Sequence, residues 1–379
     1  MKKIIVFCIA TYFCATIISA RTLNELRTAA NRGDMTAQCE LGYGYYYGGI
    51  GIIKDYTQAV FWWSKAAEQG YVNAQFNLGN CYYNGDGINK DYSQAVFWWS
   101  KAAEQGHIFA QYNLGLCYSA GKGVSKDLGL AVFMYRMAAV QGLLKAQNNL
   151  GLSYYNGYGV NQDYSQAIFW YRMAAEQGLA SAQNNLGICY NNGEGVTQDL
   201  TQAVYWWQMA AEQGDATAQF HLGLRYYNGG GISKNLFMAV FWWRNAAEQG
   251  HTSALFHLGK CFYNGDGIDK NFAQAVHLWR KASELGDASA QYHLGLCFYN
   301  GDGVDKNLTE AVFWWQKAAE QGDASAQYRL EINYNDDRGV NKGLIVVLLI
   351  ASVTMVLILL IYQNPQKWHR GKYYINASA

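Results

Sequence analysis

The chain has 379 residues with 29 Lys or Arg against 28 Asp or Glu, so its formal net charge of +1 provides no basic surface for nucleic acid. One Pro and 40 Gly in this length favour helices that no proline interrupts and that glycines separate. These counts predict an all-α fold. Aromatic residues make up 16% of the chain, which provides ample apolar area to bury and excludes a disordered protein.

The N-terminus has the three parts of a secretory signal peptide, which we assign to residues 1–20. Lys2 and Lys3 form its charged start, and an apolar stretch follows before the small residues that end at Ala20. We expect cleavage after Ala20, so that residues 21–342 fold outside the cytoplasm.

Between the termini, a Leu-Gly pair recurs at a constant interval. Its leucine stands every 36 residues from Leu78 to Leu294, and an earlier copy at Leu41 is 37 residues from the next. A fixed period of this size is typical of repeat proteins. The sequence therefore predicts about eight units of 36 residues, with fragments at both ends.

Each unit contains two helical patterns. The first places Ala74 and Leu78 on one face and is expected to end at Gly85, a residue that tolerates a left-handed conformation. Asp91 can cap the second helix. The apolar stripe of this second helix consists of Ala95, Trp98, Trp99, Ala102 and Ala103. A single hairpin cannot bury this stripe, so the hairpins are expected to stack into a right-handed α-solenoid.

The run AxxxLGxxYxxGxGVxxDxxxAxxWxxxAAEQG, complete from Ala182 to Gly214, resembles the Sel1-like repeat of the tetratricopeptide-like superfamily. The resemblance covers residues 34–340. It implies a helical adaptor that holds partner proteins and, as a rule, catalyses nothing. One eukaryotic relative is an endoplasmic-reticulum membrane adaptor with the same order of signal, repeats and late membrane span. The motif AVFWWxKAAEQG is more similar to the repeats of bacterial envelope and host-interacting proteins.

Five cysteines share one position of the repeat. They are Cys81, Cys117, Cys189, Cys261 and Cys297. Equivalent atoms of stacked helices lie about 8–10 Å apart, farther than a disulfide permits. We therefore interpret the five thiols as small buried side chains.

Signals for an enzyme or a metal site are weak. The histidines form no HExxH motif and no close cluster with carboxylates. The loop that starts at Asn264 is similar to the beginning of a calcium loop, but its twelfth residue is Ala275, where calcium needs a carboxylate. We expect no catalytic residues, cofactor, metal or small-molecule substrate.

Two aromatic positions of the first helix lie away from its apolar stripe. One position holds Phe76, Tyr112, Phe220, Phe256 and Tyr292, and the other holds Tyr83, Tyr155, Tyr227, Tyr263 and Tyr299. These rings either line a concave groove for a partner segment or pack between neighbouring units. In the middle units Asn148 and Asn184 replace the first ring, so a groove there would be more polar.

Next to the first aromatic position, three later units carry His221, His257 and His293. The spacing of stacked helices, about 10 Å, is too large for shared metal coordination. The histidines form either an ordinary polar edge or a binding edge. A binding edge would gain positive charge as the pH falls through about 6.5, and partner affinity would then rise between about pH 7.5 and 5.5.

The C-terminal part contains twenty residues without a charge, Gly343 to Tyr362. A helix of this length spans about 30 Å, the thickness of a bilayer core. Residues 363–379 form a short tail with three basic residues, which favours the cytoplasmic side. The sequence predicts a single-pass membrane protein whose repeats lie outside the cytoplasm, in the periplasm or on the cell surface of a bacterium, or in the endoplasmic-reticulum lumen of a eukaryote.

Together these patterns predict a membrane-tethered, non-enzymatic scaffold that binds protein or peptide segments and is anchored through residues 343–362. Envelope assembly, host interaction and protein quality control are roles for such a scaffold. The alternative is an envelope hydrolase or a glycan-binding protein, because rows of aromatic rings also stack on sugars.

Overall fold

The computed structural model describes residues 22–49 and 51–335. The predicted signal peptide, membrane span and cytoplasmic tail lie outside these residues. Within the described part of the chain, none of the helices combines the length and apolar character needed to cross a bilayer. The chain divides into two compact units, with the boundary after Gln213.

The first unit begins with a short helix, α1 (Leu23–Asn31), and continues with five hairpins. The first helices of these hairpins are α2 (Met35–Tyr47), α4 (Val72–Asn84), α6 (Ile108–Ala120), α8 (Leu144–Asn156) and α10 (Ala180–Asn192). The second helices are α3 (Tyr56–Glu68), α5 (Tyr92–Glu104), α7 (Leu128–Val140), α9 (Tyr164–Glu176) and α11 (Leu200–Glu212).

The second unit has three hairpins and one further helix. Its first helices are α12 (Ala216–Asn228), α14 (Thr252–Asn264), α16 (Ala288–Asn300) and α18 (Ala324–Asn335). Its second helices are α13 (Leu236–Glu248), α15 (Phe272–Glu284) and α17 (Leu308–Glu320). Each unit is thus an all-α stack of hairpins, which confirms the predicted solenoid class. Among the described residues, the only β pairing is an isolated bridge between Gly49 and Ile52.

The predicted capping residues set the ends of the helices. Asp91 precedes α5, and its Oδ1 accepts hydrogen bonds from the backbone N–H groups of Ser93 and Gln94 at 2.9 and 3.0 Å. Gly85 ends α4 in the left-handed region at φ 87°, and its N–H donates to the Cys81 carbonyl. Local chemistry therefore fixes the hairpin boundaries that the sequence predicts.

The recurring glycine of the Leu-Gly pair lets the two helices of a hairpin touch. A Cβ on Gly79 would lie 2.5 Å from Cδ1 of Trp99, the ring that covers it. Trp99 is only 2% exposed and its Nε1 donates to the Phe76 carbonyl at 3.2 Å. Trp98, which the sequence pattern placed in the same stripe, is half-buried and packs against the preceding hairpin. The two indoles therefore have different roles.

Buried glutamines link consecutive hairpins. Gln75 on α4 donates from Nε2 to the Ala67 carbonyl at the end of α3, and its Oε1 accepts a 2.8 Å bond from Nε2 of Gln105. The same bond occurs between glutamines 30 residues apart at Gln111, Gln183, Gln219 and Gln291, and between glutamines 31 residues apart at Gln38. In the hairpin α14–α15 both members are replaced together, by Leu255 and Leu285.

All six cysteines of the described part are buried, and none of them forms a disulfide. Burial raises the pKa of the Cys81 thiol to about 12, with a smaller contribution from the Asp86 carboxylate. The thiols at this position therefore stay protonated and unpaired, as the spacing argument expects.

Candidate partner-binding surfaces

The tyrosines of the second aromatic position contact the following hairpin. The hydroxyl of Tyr263 donates to Asp302 in the loop after α16 at 2.7 Å, and its ring lies 5.3 Å from that of Trp279. Equivalent bonds join Tyr46 to Asp86, Tyr155 to Glu194 and Tyr227 to Asp266. Burial and the Asp302 carboxylate raise the pKa of Tyr263 to about 12, so the hydroxyl remains a donor.

Three exceptions show that the tyrosine and the loop residue change together. The loop partner of Tyr83 is Lys122, which donates to the Tyr83 hydroxyl at 2.9 Å and lies 4.3 Å from the ring centroid. Where the loop residue is uncharged, as at Tyr158 and Gly230, the tyrosine is replaced by Ser119 and Asn191. Tyr299 occupies the same position and lies 5.5 Å from Trp315. The tyrosines whose hydroxyls bond to the next loop therefore join hairpins, one of the two interpretations that the sequence leaves open.

The rings of the first aromatic position are half-buried as well. Phe76 stacks on His107 at the start of α6, with the ring centroids 4.3 Å apart, and Phe220 stacks on His251 at 4.8 Å. Phe256 lies 5.3 Å from His293. The remaining members, Tyr112 and Tyr292, lie 6.0 Å from Tyr135 and 5.3 Å from His293. The three phenylalanines therefore contact the next hairpin, whereas the two tyrosines contact rings of their own hairpin. Partner binding by the row stays a prediction.

The three histidines lie against aromatic rings. His257 stacks on Trp243 at 4.8 Å, and His293 lies 5.0 Å from Trp279. Burial lowers the pKa of His221 and of His257 to about 4, and it also lowers the pKa of His293. For His221 and His257 the expected gain of charge between pH 7.5 and 5.5 is therefore wrong, because desolvation keeps these two imidazoles neutral in that range.

A surface that the sequence did not single out lies on the first helices of the first unit. Leu116 and Leu152 are 40% and 41% exposed, and Ile188 holds the same position on α10. Beside them, Nδ2 of Asn185 donates to Oδ1 of Asn148 across two hairpins at 3.0 Å. We call these five residues the amide-aliphatic face. Sequence reasoning placed this helix position away from the apolar stripe, but it did not show how exposed the leucines are.

The described residues contain no group of three or more His, Cys, Asp or Glu side chains that could hold a metal ion. Polar side chains near the first helices are engaged instead in bonds between hairpins, as at Tyr263 and Asn185. The described surface therefore offers contact area and amide groups, which suit the binding of polypeptide.

Comparisons with known proteins agree with the observed period. The family model described as Sel1 repeat matches eight successive segments: residues 36–71, 72–107, 108–143, 144–179, 180–215, 216–251, 252–287 and 288–323. Among curated proteins, none matches the chain.

Two solved structures are similar over most of the chain. The first is c5321, a protective antigen present in uropathogenic Escherichia coli strains and displaying an SLR fold; it is 38% identical, with a TM-score of 0.76 over 88% of this chain and 72% of that one. The second is a Sel1 repeat protein from Oxalobacter formigenes, 32% identical, with a TM-score of 0.66 over 82% of this chain and 90% of that one. The chain belongs to the Sel1 repeat family, whose members typically act as scaffolds for protein–protein interaction.

Proposed function

We propose that the chain is a membrane-tethered, non-enzymatic scaffold that holds an extended segment of a partner protein on the amide-aliphatic face. The observation that carries the proposal is the exposure of Leu116 and Leu152 next to a bonded pair of asparagines. Aliphatic side chains on rigid helices supply contact area. Asparagine amides supply both a donor and an acceptor for the backbone of a bound peptide.

The geometry of stacked helices defines the segment that would bind. Neighbouring helices are about 8–10 Å apart, and an extended or polyproline chain advances about 3.1–3.3 Å per residue. Every third residue of a segment that crosses α6, α8 and α10 would therefore meet the next aliphatic side chain. We expect partner segments with apolar residues at i, i+3 and i+6.

The tether rests on the uncharged residues 343–362 and on the signal sequence at residues 1–20. In this topology the repeats lie outside the cytoplasm and residues 363–379 lie inside. Protease added to intact cells or spheroplasts should digest the repeats and leave an epitope in the tail intact. Protection of the repeats, with loss of the tail epitope, would reverse this orientation.

An array of extended peptides probed with the full-length chain in detergent tests the binding role. Leu152→Asp should weaken the best ligands about tenfold, because a charge replaces an exposed apolar contact. Ile53→Asp is the matched control, since Ile53 is an 88% exposed apolar residue in the loop before α3 and should leave binding unchanged. Equal binding by the Leu152 variant and the parent chain would exclude this face.

The alternative of an envelope hydrolase or a glycan-binding protein depends on the aromatic row. The structure gives it less support, because the rings are half-buried and several hydroxyls are bonded to the next hairpin. A pull-down with polysaccharide beside the peptide array separates the two functions.

A further inference from the structure

Each second helix but one exposes an aromatic ring at the same position. The rings are Phe61, Phe97, Phe133, Phe169, Tyr205, Phe241 and Phe313, between 45% and 54% exposed. His277 stands at this position in α15. The rings lie on the helices that do not carry the amide-aliphatic face, so they define a separate surface.

The residue one helical turn later differs between hairpins. It is a lysine in α3, α5, α15 and α17 and Asn245 in α13, and the ammonium of Lys65 lies 4.6 Å from the Phe61 ring centroid. Lys101 and Lys317 lie over their rings at 5.3 and 5.8 Å. In three consecutive hairpins of the first unit the same position holds Met137, Met173 and Met209, which are 39% to 40% exposed. A charged cover is thus replaced by an apolar, flexible side chain.

Half-buried indoles connect these exposed rings with the core. The Phe169 ring meets that of Trp170 edge to face at 5.0 Å, and Tyr205 meets Trp206 in the same way. Trp170 packs against the core of α7 and α8, and Trp206 packs against the core of α9 and α10. We call the resulting surface the methionine face; it consists of Phe133, Met137, Phe169, Met173, Tyr205 and Met209.

Two exposed arginines border the methionine face. Arg136 precedes Met137 and donates to the hydroxyl of Tyr154, and Arg172 precedes Met173 and donates to the hydroxyl of Tyr190 at 2.9 Å. Both acceptors are uncharged phenols, so these bonds leave the positive charge available to a carboxylate.

We propose that the methionine face docks an amphipathic helix of a partner protein, with apolar residues seven positions apart and acidic residues beside them. Seven residues of a helix span about 10.5 Å, which matches the spacing of about 8–10 Å between the helices that carry the face. Methionines adapt to apolar side chains of different shape. The bordering Arg136 and Arg172 select for acidic flanks.

The test uses the full-length chain in detergent and two synthetic 21-residue helical peptides as probes. Both have Leu at i, i+7 and i+14; one has Glu beside each Leu and the other has Lys. Fluorescence anisotropy should show about tenfold tighter binding of the Glu peptide. The triple variant Met137→Asn, Met173→Asn and Met209→Asn, which adds no charge, should weaken that binding at least about tenfold. It is expected to fold, because Asn245 occupies the same position in α13.

Phe237→Asn is the matched control, since Phe237 is a 70% exposed apolar residue on second helix α13, outside the methionine face, and its replacement should leave binding of the Glu peptide unchanged. A thermal midpoint close to that of the parent shows that the triple variant is folded. Equal binding of the two peptides, equal binding by the triple variant, or no binding up to about 1 mM would overturn the proposal. The proposal would also be overturned if the triple variant bound the Glu peptide normally but lost affinity for anionic vesicles or for a second copy of the chain. The face would then serve membrane binding or self-association.

Discussion

The close contact between Gly79 and Trp99 determines how the substitution Gly79→Ala should change the stability of the fold. A Cβ at position 79 would lie 2.5 Å from Cδ1 and 2.6 Å from Nε1 of the indole, about 1 Å inside normal contact. The ring cannot easily move, because its Nε1 bonds to the Phe76 carbonyl and to Asn80 Oδ1, both at 3.2 Å, and Tyr83 lies against it. Overpacking of this kind costs about 2–3 kcal/mol, and the gain in helix propensity offsets about 1 kcal/mol.

Gly79→Ala should therefore lower stability by about 1–2 kcal/mol, a fall in thermal midpoint of about 2–8 °C. Gly129→Ala is the matched control: Gly129 is an exposed glycine in the first turn of α7, and Ala273 stands at the same position in α15. That change should raise stability by about 0.4–1 kcal/mol. Circular dichroism of both variants during heating measures the difference. A Gly79→Ala chain as stable as the Gly129→Ala chain would refute the close-contact explanation.

Three further predictions concern single side chains. Trp99→Ala should cost about 3–5 kcal/mol and Trp98→Ala clearly less, because only the first is fully buried; equal shifts in denaturation midpoint would contradict this. Tyr263→Phe should cost about 1 kcal/mol and increase hydrogen exchange in the loop of Asp302; an unchanged exchange rate would count against the bond. His257 has a pKa of about 6.5 in the unfolded chain and of about 4 in the folded chain. The unfolded state therefore binds a proton first as the pH drops from 6.5 to 4, and the stability of the fold should decrease, by about 2 kcal/mol at pH 5. His257→Asn should flatten that slope, whereas an unchanged slope would assign it to other groups.

The sequence was sufficient wherever one residue or one period decides the structure. The hairpins follow from the 36-residue repeat, and the start of α5 follows from Asp91, whose side chain bonds within its own turn. The end of α4 at Gly85 is equally local, because a left-handed residue there needs no distant partner. Such features depend on neighbours in sequence and can be derived from it.

The candidate site was less predictable because its side chains depend on neighbours far along the chain. The hydroxyl of Tyr263 donates to Asp302, 39 residues away, and the sequence signals for this bond were the joint changes to Ser119 with Tyr158 and to Asn191 with Gly230. The pKa of His257 is set by burial against Trp243 from the adjacent helix. A helical pattern shows which face a residue is on, but it does not show what covers that face.

The two kinds of polar link between hairpins differ in what they allow during tandem duplication. Gln75 and Gln105 belong to one hairpin, and the outside partner is a backbone carbonyl that any neighbour supplies. A duplicated hairpin thus contains both glutamines of its pair. The joint change to Leu255 and Leu285 could therefore arise without altering any other hairpin. The bond from Tyr263 to Asp302 instead joins two hairpins, so a change in the order of the hairpins separates residues that match each other. Gain and loss of repeats is therefore tolerated by the glutamine links, whereas the tyrosine links favour one particular order.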